Sequence, residues 1–441
     1  MTKQLKDILI SHEQPGFLEK LQSSRTSTIQ MAFFSDEKRE EVLDIVNDVA
    51  KRRDVAVSEY TEKFDGVKLT PDQFRISAED LKKTHAKIDK KLLSSIRKAI
   101  TNVKKYQRKI FIGKNKSFGN TGIKYTPIER VGICVPGASA PLPSTVIMTA
   151  VPALVAGVKK ENIVVVSPPR HKGGIHPTIL ATCYELGITE VYRIGGVQAV
   201  AAMAYGLGVI KKVDKIVGPG NTWVQMAKRE VFGLVDIDSV AGPSEVLVIA
   251  DDSANPAYVA ADMLSQVEHN PGSAALLTDS HKLAENVLYE LEKQAYELPE
   301  KDILMESLIT HGNIIVCESM DFAIGLANIF ASEHLQIQCG DKSREIAEKI
   351  KNAGAIFIGE HSPVAVGDYW AGPSHTLPTG MSASFFSALT SNDFVKSISI
   401  IEYNKDMLKK SKDDIIRLAE AEGLDAHSNS VKIRFQNNET T

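Results

Sequence analysis

The chain has 441 residues, 43% hydrophobic and 24% charged, and its 52 basic and 55 acidic side chains leave a formal net charge of -3. That is enough chain for more than one domain, and the near-neutral balance offers no global field for nucleic acid or an anionic membrane. No run approaches the roughly 20 apolar residues of a membrane span, and Met1-Thr2-Lys3-Gln4-Leu5-Lys6 leads into no signal-peptide core, so a soluble, cytoplasmic protein acting on a small molecule is expected.

Residues 1 to about 30 are polar with little periodicity and read as an arm or a short helix against a partner. From Ser35 the pattern changes. Ser35 can cap a helix, Asp36 and Glu37 suit its first turn, and Val42, Ile45, Val46 and Val49 recur at helical spacing. A second helix is expected from Ser77 through Leu81, Ile88, Leu92 and Ile96 toward Tyr106. Next, residues 131–141 join a short strand to a loop rich in glycine and proline. A helix follows over 144–156, then the β-branched run Asn162-Ile163-Val164-Val165-Val166-Ser167, whose lack of alternation predicts a strand buried on both faces of a parallel sheet. The same unit recurs twice. Val191-Tyr192-Arg193-Ile194 turns at Gly195-Gly196 into a helix over 197–205, and Lys215-Ile216-Val217 turns at Gly218-Pro219-Gly220-Asn221 into a helix over 222–231. Repeated strand, glycine turn and helix predict a doubly wound sheet. Such turns can admit a phosphate at a helix N-terminus, although no G-x-G-x-x-G is present and each turn alone is as readily a connector.

A second series begins after Ala241-Gly242-Pro243-Ser244. Strands are expected over 245–250, 274–277, 314–317, 335–337 and 355–358, with helices over 256–269, 281–296, 321–330 and 343–352 between them. Residues 359–380 hold Pro363, Gly367, Gly372, Pro373, Pro378 and Gly380 and read as an irregular loop able to carry a site. A strand over 398–401 and a helix over 413–422 lead into a tail. Cys134, Cys183, Cys317 and Cys339 lack C-x-x-C spacing and suit free thiols in a reducing compartment.

The chain reads as organised around Ser265-Gln266-Val267-Glu268-His269-Asn270, at the end of an apolar run that should be helical. Gln266 and His269, three apart, share a helix face and can converge on one point. With a carboxylate from Val366-Gly367-Asp368-Tyr369 and an imidazole from Glu422-Gly423-Leu424-Asp425-Ala426-His427, they would give Zn2+ a nitrogen and oxygen donor set. Taken alone, the triplet is more readily read as polar residues at a helix end.

Six motifs, in order, resemble histidinol dehydrogenases along nearly the whole chain, from about Glu37 to Arg434. They are Ala241-Gly242-Pro243-Ser244-Glu245-Val246-Leu247, Ser265-Gln266-Val267-Glu268-His269, Ser332-Glu333-His334-Leu335, Gly367-Asp368-Tyr369, His375-Thr376-Leu377-Pro378-Thr379-Gly380 and Glu422-Gly423-Leu424-Asp425-Ala426-His427. The resemblance implies oxidation of L-histidinol through the aldehyde to L-histidine by two NAD+ in succession at one Zn2+ site, in a homodimer whose C-terminal segment completes the neighbour's site. It implies Zn2+ ligands at Gln266, His269, Asp368 and His427, with the metal holding the substrate's amine and imidazole nitrogens. His334 would be the general base, a role suited to a group titrating near neutrality, and Glu333 would activate the water that hydrates the aldehyde. Substrate would contact Ser244, Gln266, His269, His334, Asp368, His375, Glu422 and His427. The cofactor would contact Gln198, Asn221 and position 134.

The implied fold is α/β, with two doubly wound Rossmann-like domains, helical N-terminal cover and a C-terminal dimerisation tail. Residues 1–30 would be the arm, and 31–130 with 245–390 the first Rossmann-like domain, carrying catalytic and metal residues. Residues 131–244 would bind NAD, and 391–441 would complete the partner's active site. The chain departs from the family pattern at Cys134, where a tyrosine is usual, and at Ala138, where a second glycine is usual. A Cys134 nucleophile forming a thiohemiacetal is one alternative chemistry, with the thiol as a small apolar filler the other reading. A relative oxidising another small alcohol, such as a sulfonated or carboxylated diol, is the alternative function, and a silent binding protein is disfavoured by the intact Glu333, His334 and ligand positions.

Overall fold

The computed structural model describes residues 4–17, 19–21, 36–137, 141–269 and 272–436. Residues 22–30 of the expected arm, Ser35, Ala138 and Asn270 lie outside them. A 3-10 turn, Leu5–Ile8, leads into strand β1, Leu9–Ser11. Four helices follow: α1 (Asp36–Arg52), α2 (Asp54–Asp65), α3 (Ala78–Lys87) and α4 (Lys90–Ile110). In α1 the expected apolar stripe, Val42, Ile45, Val46 and Val49, is fully buried. The single helix expected from Ser77 toward Tyr106 is two. Ser77 caps α3, accepting from Asp80 N at 3.0 Å, but the backbone becomes extended at Ile88 and Asp89 caps a new helix by accepting from Leu92 N at 2.8 Å.

After β2 (Lys116–Ser117) and β3 (Thr121–Pro127) comes the first parallel sheet. Its elements are β4 (Val131–Cys134), α5 (Pro143–Ala156), β5 (Ile163–Val166), α6 (Pro177–Glu185), β6 (Glu190–Tyr192), α7 (Gly196–Tyr205), β7 (Lys215–Val217), α8 (Thr222–Val231) and β8 (Asp236–Ile237). The strand order is β6-β5-β4-β7-β8, parallel throughout. All four residues of β5 are buried, as its unbroken β-branched run requires. Helices α1 and α2 pack on α7 and α8, and α3 and α4 on α6 and α5, so the N-terminal helices cover this sheet rather than the next one.

The second sheet comprises β9 (Ser244–Ala250), α9 (Pro256–Val267), β10 (Gly272–Thr278), α10 (His281–Glu297), α11 (Lys301–His311), β11 (Gly312–Val316), α12 (Met320–Phe330), β12 (His334–Gln338), α13 (Ser343–Lys349) and β13 (Ala355–Ile358). Its order is β1-β11-β10-β9-β12-β13, again parallel. The reading of the N-terminus as an arm against a partner is therefore corrected for its described part: β1 extends the chain's own sheet, Leu9 registering with Ile314. Apolar side chains of β9 fill both faces, Val246 and Val248 toward one core and Leu247 and Ile249 toward the other. The stretch 359–380 is not wholly irregular, since it contains a short helix, α14 (Val364–Tyr369).

Residues 112–126 and 395–441 form a separate compact unit. Within it β14 (Val395–Ile401) belongs to a three-stranded sheet ordered β14-β3-β2, followed by α15 (Lys405–Ala421) and α16 (Asp425–Lys432). The helix expected over 413–422 begins earlier, because Asn404 caps it by accepting from Met407 N at 2.9 Å. The expected tail contains a helix.

The mixed α/β class with parallel sheets stands as expected. One ion pair ties the first sheet together at its strand starts. Arg130 donates to Glu190 Oε1 and Oε2 at 3.1 and 2.5 Å, with both side chains largely buried. Burial pushes the Glu190 carboxyl up, but the guanidinium outweighs it and holds the group below its ordinary 4.5. A depressed folded-state pKa contributes stability that is present above the unfolded value and lost as pH falls through the folded one. Glu190→Gln should therefore cost about 3 kcal/mol near pH 7, the scale for breaking a buried pair. In denaturant titrations its deficit relative to wild type should stay level above pH 5.5 and shrink below the ordinary 4.5.

Candidate active site

The direction of the chain gathers the site. β9 and β12 are adjacent and parallel, and His334 registers with Val246, so the two strands start side by side. Helix α9 leaves the far end of β9 and returns antiparallel to it, which brings its C-terminus back to that starting edge before β10 begins beside Ser244. Gln266, in the last turn of α9, thus comes to the same edge as Glu245, Glu333 and His334. His269 lies just past the helix expected to contain it, in a turn closed by His269 N donating to Gln266 O at 3.2 Å.

Read from sequence, Glu333 and His334 would lie at a helix end, most simply on the surface. The structure corrects this. Helix α12 stops before Ala331, which adopts a left-handed conformation at φ 45°, and the next residues lead directly into β12. Glu333 is 6% exposed and His334 3%. His334 Nδ1 lies 3.0 Å from the carbonyl oxygen of Glu245 and 3.5 Å from Glu333 Oε2. A carbonyl can only accept, so this geometry assigns a proton to Nδ1 and makes Nε2 the nitrogen that exchanges its proton with the site. Nε2 is buried without a hydrogen-bond partner and lies 3.7 Å from Asp368 Oδ1.

The electrostatics follow from burial and crowded carboxylates. Burial disfavours the His334 imidazolium, but Glu333 and Asp368 more than compensate and raise its pKa to about 9, above the near-neutral value expected. Burial pushes the Glu333 carboxyl up to about 7, against the opposing pull of His334. Burial pushes the Asp368 carboxyl up, but the nearby His334 imidazole, with help from His375 and His269, outweighs it and holds the group below the ordinary carboxyl value. Burial lowers His375, and its Nε2 also lacks a partner.

These same contacts bear on metal binding. Gln266 is 2% exposed, and its Oε1 is a buried acceptor that receives no hydrogen bond. Asp368 is favoured as the anion and feels the charge of His269. An amide oxygen, an imidazole and a carboxylate suit the N/O donor set of a zinc site. Among the described residues, no group of three or more His, Cys, Asp or Glu is arranged to hold a metal. Of the expected ligands Gln266 falls outside those residue types, and His427 stands exposed on α16 in the other unit, as does Glu422 at the end of α15. Ser244 opens β9, half-buried.

The expected cofactor residues lie on the first sheet. Its order reverses between β4 and β7, and the crevice at the carboxyl ends of those strands is where such sheets take ligands. Cys134 ends β4, and the turn after β7 meets it so closely that a Cβ on Gly218, at φ 110°, would lie 2.3 Å from Cys134 O. Asn221 caps α8, accepting from Val224 N at 3.2 Å. Gln198 sits in the first turn of α7, 1% exposed, with neither amide atom partnered. Sequence reasoning missed three neighbours. Ser167 Oγ, at the end of β5, is buried and unpartnered. Lys228, 1% exposed, forms an ion pair with Asp238 and donates to Gly218 O at 3.1 Å, while Gly218 N donates to Asp238 Oδ2 at 2.7 Å. Nothing in the sequence of α8 singled out Lys228, which stands beside Arg229 and Glu230 and reads as one more charge on a helix face.

Burial raises the Cys134 thiol to about 12, outweighing the attraction of Lys228. A thiolate nucleophile there is thereby disfavoured, and the apolar-filler reading stands. Cys183, Cys317 and Cys339 are likewise buried free thiols. Native protein treated with iodoacetamide at pH 8 should retain all four thiols unmodified, as read by intact mass, whereas denatured protein should take four labels.

Comparison with known proteins agrees with this arrangement. The histidinol dehydrogenase family model matches residues 30–435. Histidinol dehydrogenase of Rhodopirellula baltica is 48% identical over 396 residues, covering 89% of this chain and 85% of its own. That of Geobacillus kaustophilus is 45% identical over 413 residues, covering 92% and 96%. The crystal structure of histidinol dehydrogenase from Elizabethkingia anophelis superposes with a TM-score of 0.88 at 35% identity, covering 98% of each chain. A match over nearly the whole sequence and the whole fold means that the chain belongs to the histidinol dehydrogenase family of oxidoreductases.

Proposed function

We propose that the protein oxidises L-histidinol through L-histidinal to L-histidine, removing four electrons with two NAD+ at a Zn2+-containing site. The observation that carries this reading is the buried imidazole of His334, its Nδ1 proton held by the Glu245 carbonyl and its Nε2 free. Gln266, His269 and Asp368, with His427, would hold the metal, whose chemistry when bound is to fix the substrate's amine and imidazole nitrogens. NAD+ would accept each hydride, held by Gln198, Asn221 and the loop at Cys134.

In the first half-reaction His334 Nε2 takes the hydroxyl proton while the carbinol carbon gives up hydride, leaving the aldehyde. In the second, Glu333 takes a proton from the water that adds to the aldehyde carbonyl and passes it to solvent, while His334 gives the proton it took to the carbonyl oxygen and is a base again. His334 then takes the hydroxyl proton of the resulting diol as the second hydride leaves, and the carboxylic acid forms. Each half-reaction yields one NADH and one proton. Ser244 and His375 would orient the substrate together with Glu422. Glu422 and His427 stand exposed on the separate C-terminal unit, which also exposes the apolar side chains of Ile401 and Leu418, 75% and 66% accessible. This supports a homodimer in which each C-terminal unit completes the partner's site, and the protein would work in the cytoplasm.

Purified, Zn2+-loaded protein should form two NADH per L-histidinol consumed, lose that activity to a chelator and regain it with Zn2+. His334→Asn should keep its zinc, read by elemental analysis, while turnover falls by about 10²- to 10⁴-fold, the scale of a lost general base. Mixing that variant with one truncated before Glu422 should restore part of the activity if sites are shared. NADH formation absent from folded, zinc-replete dimer would move the reading to another small alcohol, with sulfonated and carboxylated diols the next substrates to assay.

A further inference from the structure

The side chain of Glu245 has no part in the mechanism above, yet the residue is only 7% exposed and puts a carboxyl group at the mouth of a largely apolar strand. Its hydrogen bonds are reciprocal with those of Glu333. Glu245 Oε1 accepts from Glu333 N at 3.2 Å, and Glu333 Oε2 accepts from Glu245 N at 3.0 Å. A third bond, Gly380 N to Glu245 Oε1 at 3.0 Å, ties in the loop that carries His375. The Glu245 carbonyl receives His334 Nδ1. One residue thus touches both members of the reacting pair and the adjoining loop.

Fold stability alone gives a poor account of this choice. A buried carboxylate beside a second carboxylate costs desolvation and like-charge repulsion, and an apolar side chain would close the strand at lower cost. Local rules broken in this way are expected where function requires it. The geometry supplies the requirement. At 245 and 333 the two strands have not yet reached their first registered pair, His334 with Val246. Gly354 N and Ala355 N hold the Ser332 and Glu333 carbonyls at 2.9 Å from the β13 side, but the Glu333 N–H, facing β9, has only the Glu245 side chain to accept it. We propose that Glu245 is a positioning residue for the aldehyde-oxidising half-reaction, its side-chain oxygen fastening the Glu333 backbone so that the Glu333 carboxylate meets the attacking water. His334 is fastened through the main-chain carbonyl of Glu245 instead, so the side-chain bond to Glu333 N bears on the second half-reaction, while the bond to Gly380 N bears on the His375 loop and so on both halves alike. The inference rests on the reading of Glu333 as the group that activates water.

The test uses the Zn2+-loaded full-length protein and reads the two halves separately: NADH formed in the first turnover from L-histidinol, and steady-state NADH formation from supplied L-histidinal. Glu245→Gln keeps an acceptor oxygen and should hold both rates within about threefold of wild type, whereas Glu245→Met, of similar shape without the acceptor, loses the bonds to Glu333 N and Gly380 N and should slow the aldehyde half about ten- to a hundredfold, as lost buried hydrogen bonds imply. The first-turnover rate should fall by much less, by the share that the Gly380 bond contributes to both halves. A purely structural role would lower both halves together, with the melting temperature. Should Glu245→Met fail to fold, Glu245→Asp, which withdraws the acceptor by one methylene, takes its place with the same expectation. Glu333→Gln separates the two readings. If it slows the aldehyde half while Glu245→Met does not, the positioning role falls alone; if Glu333→Gln leaves that half unchanged, both fall. Equal loss in both halves, or Glu245→Gln as slow as Glu245→Met, also overturns the proposal.

Discussion

The polarity of parallel strands is the constraint on which this molecule depends. Every β-strand of the second sheet runs the same way, so each crossover must bring the chain back to the edge where the next strand begins. Helix α9 makes that return from β9, and it delivers Gln266 and His269 to the edge where Glu245 and His334 begin their strands. The candidate chemistry therefore sits at the amino ends of β9 and β12. In the first sheet the cofactor candidates sit at the opposite, carboxyl ends of β4, β6 and β7, as doubly wound sheets ordinarily arrange them. Two sheets of one winding rule present opposite edges to the proposed reaction.

Buried charge marks both edges. Near the proposed base, Glu333 and Asp368 crowd one imidazole, and their fields, with the Glu245 carbonyl, raise its proton affinity against the effect of burial. Near the proposed cofactor loop, Lys228 and Asp238 grip the carbonyl and the N–H of Gly218, whose turn has no space for a Cβ beside Cys134. Buried ionised groups tolerate few alternative arrangements, because any shift leaves a desolvated charge unpaired. Rigidity at these points is a physical consequence of the residues chosen. It also accounts for Cys134: the backbone there is fixed by its neighbours, and the side chain is too buried to act as a thiolate.

Several elements were legible in the sequence because their signal is local. The stripe Val42, Ile45, Val46 and Val49 announced α1, the unbroken run Ile163–Val166 announced a central parallel strand, and the Ser77 cap announced the start of α3. The break at Ile88 was not legible, since its residues favour a helix and a competing cap at Asp89 ended it. β1 was not legible either. Three residues, Leu9–Ser11, carry no period, and only the open edge at β11 gives them a partner.

The site divides in the same way. The amino-acid sequence by itself determined which residue types are present, the spacing of Gln266 and His269, and, through six ordered motifs, the family. It could not show that Glu333 and His334 are buried at a strand start, that His334 Nδ1 is committed to a main-chain carbonyl, or that Gln266 Oε1 is an acceptor with nothing to accept. Nor could it single out Glu245, which reads as one polar residue before an apolar run. Those facts depend on groups 88 or 89 positions apart meeting across adjacent strands. Pairing between distant segments is set by the order and direction of the strands, and only the folded sheet supplies both.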